Sequence, residues 1–225
     1  MCEILAVRFP APRPFAAIAG WARAMEYYGS GRFGWGVAWT QDGQVRAHRD
    51  TGQMTSDPAV SGWLSGVESE RFVVHFRRPT LLSTIQLADT QPFVTPDGGL
   101  AFCHNGLFRE RDAYRGAYAG RLAGGADSEI GFCMLTDLVG AGAAPADALA
   151  AVHAKLGGNA NMATLTADGM ISLFSRHETN RLFTFGYDGA RVAATELHSP
   201  DDSVFRLVFD GPVTDRGVVD EGVIL

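Results

Sequence analysis

Three Asp-Gly pairs, Asp42-Gly43, Asp168-Gly169 and Asp188-Gly189, each sit between two apolar runs of strand length. Aspartate and glycine tolerate the left-handed backbone of a two-residue hairpin turn, so each pair predicts two antiparallel strands joined tightly. The stretches are "GWGVAWTQDGQVRAHR", "MATLTADGMISLFSR" and "LFTFGYDGARVAATEL". Three hairpins commit much of a chain to antiparallel sheet. They argue against a repeating strand–helix–strand wind, and neither a G-x-G-x-x-G nor a Walker loop occurs.

The remaining segments give an α+β order. "EILAVRF", "RFVVHF", "GLAFCHNG" and "FRLVFD" read as compact strands. In "PFAAIAGWARAMEYY" the residues Phe15, Ile18, Trp21, Met25 and Tyr28 recur at helical spacing, and Pro12 and Pro14 suit a helix start. Two more helices are expected, "SEIGFCMLTDLVGA" and "PADALAAVHAKLGG", the second opened by Pro145 and closed by glycines. Strands, helices, then strands again predict a layered domain with mainly antiparallel sheets.

Composition narrows the function classes. The chain has 225 residues, 46% hydrophobic and 20% charged, which suits one sizeable core without repeats or linkers. A net charge of −6 with no block of like charge speaks against nucleic acid or a membrane surface as partner. No apolar run reaches the length of a membrane span, and no secretory signal is expected. Cys2, Cys103 and Cys133 are odd in number and widely spaced, so neither a disulfide framework nor a metal ribbon fits. The cytoplasm is the expected compartment.

Polar residues interrupt the apolar runs at three places. "VVHFRRPT" ends a strand in His75, Arg77, Arg78 and Thr80, as a ligand clamp or a solvated strand end would. "AFCHNGLF" places His104, Asn105 and Gly106 after a strand, where a plain Asn-Gly turn is the alternative. "GGADSEIGF" puts Asp127 where a helix begins, a position that also suits an N-cap. A fourth feature is Cys2 itself. A thiol beside a chain terminus is a liability unless it is buried or used.

Met-Cys, "GWGVAW", "HFRRPT", "QPF", "HNG", "DSE" and the late "VAATEL" follow one another in an order that resembles the class II glutamine amidotransferases. These are members of the N-terminal-nucleophile hydrolase superfamily, and the likeness is greatest to their free-standing, single-domain branch. It extends from residue 2 to about 197. The resemblance implies a four-layer αββα sandwich of two mainly antiparallel sheets flanked by helices. It implies one domain over residues 2–225 with Met1 removed, and an amidase acting on glutamine or a related γ-glutamyl compound. No cofactor and no metal are implied.

The resemblance also implies roles. Cys2 is the nucleophile, and its freed α-amine, with a pKa of about 7.7–8.0, is near enough to working pH to act as its base. Asn105 and Gly106 donate to the oxyanion. Arg77 clamps the substrate carboxylate, Asp127 pairs with its ammonium, and Thr80 and His104 line the same pocket. Cys103 and Cys133 read as core residues. The chain departs from the family pattern at Phe33, Arg78 and Leu81, and in Gln91-Pro92-Phe93, where a His-Pro-Phe element is common. Arg78 is read as facing solvent, with contact to a longer γ-glutamyl substrate as the alternative.

The stretch after residue 197 is too short for a synthase domain. A free-standing hydrolase is therefore expected. The alternatives are a glutaminase subunit that delivers ammonia to a separate synthase partner, and a non-catalytic amino-acid-binding module.

Overall fold

The computed structural model describes residues 2–220 and 222–225. In chain order its elements are β1 (Glu3–Pro14), α1 (Ala16–Tyr28), β2 (Trp35–Gln41), β3 (Gln44–Asp50), α2 (Pro58–Ser61), β4 (Glu68–Phe76), β5 (Phe93–Val94) and β6 (Leu100–Phe108). Then come α3 (Arg111–Tyr118), α4 (Asp127–Gly140), α5 (Pro145–Leu156), β7 (Gly158–Thr166), β8 (Ile171–Arg176), β9 (Leu182–Tyr187) and β10 (Ala190–Thr195). The last are α6 (Ser203–Leu207), β11 (Thr214–Val218) and β12 (Val223–Ile224).

The strands form two antiparallel sheets. One has the order β11-β9-β10-β1-β4-β2-β3 and the other β12-β8-β7-β6-β5. The predicted hairpins are present: Asp42 and Gly43 sit at φ 52° and 70°, and Asp188 and Gly189 at 49° and 75°. Both residues of each pair thus take the left-handed backbone of a primed turn.

Strand alternation sorts the apolar residues into three cores. Along β1, Ile4 and Ala6 point into the seam between the sheets, where they meet Cys103, Ala163 and Leu165. Leu5 and Val7 point the other way, onto Ile18, Ala22 and Met25 of α1. On the second sheet, Phe102, Met162 and Phe174 face Ile130, Met134, Leu149 and Val152 of α4 and α5. Helix, sheet, sheet and helix are therefore stacked in four layers. The same parity positions the polar residues: Cys2 and Asn105 belong to the seam faces, whereas His104 belongs to the helix face.

Three local expectations are corrected. Pro12 and Pro14 lie in β1 and do not start α1. The bulge between Arg8 and Arg13 tolerates them, and the pairs Arg13–Ser69 and Pro14–Glu68 keep the backbone extended. "FRLVFD" is not a strand. Asp201 accepts from the Ser203 amide and pairs with Arg206, which nucleates α6, and Val204 and Val208, four apart, enter the core. Asn105-Gly106 is not a turn, since the ladder runs through it with Asn105 opposite Asn161 and Gly106 opposite Ala160. Among the described residues no helix is long and apolar enough to cross a membrane.

Candidate active site

Cys2 stands at the head of β1, in the middle of the first sheet. Its main-chain N–H donates to Asn105 Oδ1 at 3.2 Å, across the seam. The Arg78 amide donates to Cys2 Sγ at 3.4 Å, and the thiol reaches Arg78 O at 3.7 Å. Asn180 Nδ2 donates to the Cys2 carbonyl at 3.2 Å. The Cys2 thiol, its main chain and the head of the strand are thus fixed from three sides. Burial pushes the Cys2 thiol above its ordinary pKa, so a proton acceptor is needed to release the thiolate.

A cleft opens over this residue, lined among others by Arg77, Thr80, His104, Gly106, Leu107 and Asp127. The structure thereby brings together the residues that the motifs single out. Three buried polar atoms beside the cleft have no partner among the described residues: Asn105 Nδ2, Arg77 Nη1 and His104 Nε2. Buried donors are normally paired, so unpaired ones gathered at a cleft mark where a ligand binds.

Gly106 has φ +145°, and a Cβ there would lie 1.9 Å from Asn159 O. Only glycine fits, because both the backbone angle and the neighbouring strand forbid a side chain. Arg77, only 4% exposed, is held by a bond from Nη2 to Thr84 Oγ1 at 2.7 Å. Nη1 has no hydrogen-bond partner among the described residues. Asp127 accepts from the Phe108 amide through Oδ2 at 2.7 Å. Its Oδ1 has no protein donor among the described residues. Asp127 is the first residue of α4 rather than its cap, a position that favours negative charge.

The supports of these groups are what the sequence reading did not single out. Gln91 accepts from the His104 amide at 2.5 Å and donates to the His104 carbonyl at 3.3 Å. His75 Nε2 also donates to that carbonyl, at 3.2 Å. Burial, with Arg77 nearby, lowers the His75 pKa to about 3 and keeps the ring neutral. His104 is likewise lowered to about 4 by burial; its ring stacks on Phe108 and reaches Ser128 Oγ at 3.0 Å. Asp89, fully buried, accepts from the amides of Gly125 and Ala126, and Glu129 accepts from those of Ala123 and Gly124. These two carboxylates tie down the loop that delivers Asp127. Thr80 lines the cleft but is exposed; Thr84 is the hydroxyl that touches Arg77.

Comparison with known proteins decides the family. The family model for class II glutamine amidotransferases matches residues 1–198. The chain belongs to this family. The glutamine phosphoribosylpyrophosphate amidotransferase of B. subtilis shares the fold with a TM-score of 0.74 at 18% identity, over 100% of this chain and 46% of that one. This is the N-terminal-nucleophile hydrolase fold. A glutamine aminotransferase class-II domain protein from Silicibacter pomeroyi aligns at TM-score 0.61 and 20% identity, over 87% of this chain and 88% of that one. A predicted glutamine amidotransferase from Pseudomonas aeruginosa gives 0.56 and 17%, over 100% and 96%. The chain spans about half the length of the B. subtilis enzyme. No curated protein matches.

In this member of the class II glutamine amidotransferase family a buried carboxylate follows Cys2. Glu3 faces away from the seam, bonded by Thr195 at 2.6 Å and Asn180 at 3.0 Å. Burial raises its pKa from 4.5 to about 7 against those bonds. The folded chain therefore holds this proton more tightly than the unfolded chain. Its stabilising contribution is full below about pH 4.5 and is lost as the pH rises to about 7. Glu3→Gln removes that dependence. Relative to wild type, the variant should gain up to about 3 kcal/mol between pH 4.5 and 8, read by urea denaturation at both pH values. An unchanged pH dependence would show that Glu3 ionises normally.

Proposed function

We propose that the chain hydrolyses the γ-amide of glutamine or of a related γ-glutamyl compound through a thioester on Cys2. Removal of Met1 frees the Cys2 nitrogen as an α-amine. That amine takes the thiol proton as Sγ bonds to the carbonyl carbon of the γ-amide. It then returns the proton to the departing nitrogen as the C–N bond breaks. Water resolves the thioester to glutamate. The observation that carries the reading is the double role of Asn105: Oδ1 holds the Cys2 nitrogen while the buried Nδ2 is unpaired. The second oxyanion donor is Gly106, and Arg77 Nη1 and Asp127 Oδ1 take the amino-acid carboxylate and ammonium. Thr80 and His104 complete the pocket wall.

The test is glutamate release from glutamine by the purified, processed protein, beside labelling by a glutamine-analogue electrophile. The label should fall on the peptide that begins with Cys2 and spare Cys103 and Cys133, which are buried. Arg77→Ala and Asp127→Asn should each raise KM for glutamine about 10- to 100-fold, the worth of one hydrogen bond to a charged group. Unchanged KM in both would remove the clamp assignment.

A second reading makes the chain a glutaminase subunit of a two-protein amidotransferase. It is favoured by the apolar rim of the cleft, where Leu81 and Leu107 are 63% and 41% exposed. Weak glutaminase activity alone, raised by a synthase partner, would select it. The cytoplasm is the proposed compartment under either reading, since a reducing environment keeps Cys2 a thiol.

A further inference from the structure

Arg77 and Arg78 are neighbours in opposite situations. The Arg77 guanidinium is buried against Thr84, whereas the Arg78 side chain is exposed and has no hydrogen bond or ion pair with any described residue. Yet the Arg78 main chain touches the nucleophile from both its amide and its carbonyl. Arg78 also lines the cleft that opens over Cys2.

A second cavity begins at the same place. It shares Arg78, Pro79 and Thr80 with the Cys2 cleft and continues to Tyr28, Leu197 and His198. With the amino-acid end of a substrate at Arg77 and Asp127 and its amide carbonyl carbon at Cys2, the amide substituent points toward this shared wall. Ammonia needs no such space. Pro79, Leu197 and the half-exposed Tyr28 offer apolar surface for the carbon part of a larger amine. His198 is occupied, because its Nε2 lies 3.0 Å from Asn180 Nδ2 and 3.7 Å from Glu3 Oε1. The charge available to a ligand is the Arg78 guanidinium, a planar donor suited to a carboxylate.

We propose that this second cavity is the leaving-amine subsite and that Arg78 selects γ-glutamyl compounds whose amine carries a carboxylate, that is, γ-glutamyl peptides. The proposal rests on the hydrolase reading above. The step is balanced as there: Sγ bonds to the carbonyl carbon of the γ-amide, its C–N bond breaks, and the amino acid leaves with the proton carried by the Cys2 amine. Water then forms glutamate.

The experiment measures kcat/KM of the processed protein on glutamine, on γ-glutamyl-glutamate and on the γ-glutamyl amide of 1,4-diaminobutane. Wild type should prefer γ-glutamyl-glutamate to the diamine amide. Arg78→Ala should lower that ratio about tenfold, Arg78→Lys should keep most of it, and Arg78→Glu should invert it. A ratio unchanged across the three variants overturns the proposal. So does cleavage of glutamine with γ-glutamyl-glutamate left intact. Failure of wild type on all three compounds overturns the hydrolase reading and this proposal with it.

Discussion

Cys2→Ala should abolish amide hydrolysis, and so should a chain whose Cys2 nitrogen stays blocked by Met1 or by an uncleaved tag. The expected loss is at least about 10⁴-fold in kcat, the scale seen when a nucleophile or its base is removed. The two lesions are chemically different. The alanine variant keeps the amine and loses the sulfur; the blocked chain keeps the sulfur and loses the base. Burial raises the Cys2 thiol pKa, so an unassisted thiol has little thiolate to offer at neutral pH. Intact-mass spectrometry beside the activity assay separates the cases. Full activity with Met1 attached would disprove the α-amine as base. Glutamine binding by the alanine variant, through Arg77 and Asp127, would show that the pocket itself is unharmed.

Asn105→Ala is expected to cost about 10²–10³ in kcat with a much smaller change in KM. Nδ2 has no partner in the described chain, so its bond forms with the charge that appears on the substrate oxygen. Oδ1 adds a second loss, since it also orients the Cys2 nitrogen. Asn105→Asp separates the two functions, because it keeps an acceptor for the nitrogen and replaces the donor with a negative charge. Steady-state kinetics on both variants decide the matter. A loss confined to KM would make Asn105 a ground-state contact.

The sequence made the hairpins and the motif residues legible for different reasons. Hairpins are local: Asp188-Gly189 needs only its own backbone angles and the apolar runs beside it. Cys2, Arg77 and Asn105 stand out because each ends or interrupts a strand that is otherwise apolar. The supporting residues carry no such mark. Thr84, Asp89 and Gln91 lie in the irregular stretch between β4 and β6. Their partners at Arg77, Ala126 and His104 become neighbours only when the sheets and α4 are packed. β11 was missed because "TDRGV" is exposed at a sheet edge and shows no apolar face. "FRLVFD" misled because apolar residues four apart satisfy a short helix as well as a strand. The Asn-Gly turn preference was overridden by the ladder to β7, which holds both residues in register.

The order of strands in the first sheet has a consequence for the chain during its synthesis. β1 emerges first, but one of its two flanking partners is β10, whose residues are translated far later. The Cys2 carbonyl also waits for Asn180, and its nitrogen for Asn105. A nascent chain that has reached only β6 or β7 thus carries Cys2 with Arg78 and Asn105 but without β10 and Asn180. The set of contacts around Cys2 is complete only when the last third of the polypeptide joins the first. The earliest strand therefore reaches its final surroundings only after nearly the whole chain has been made.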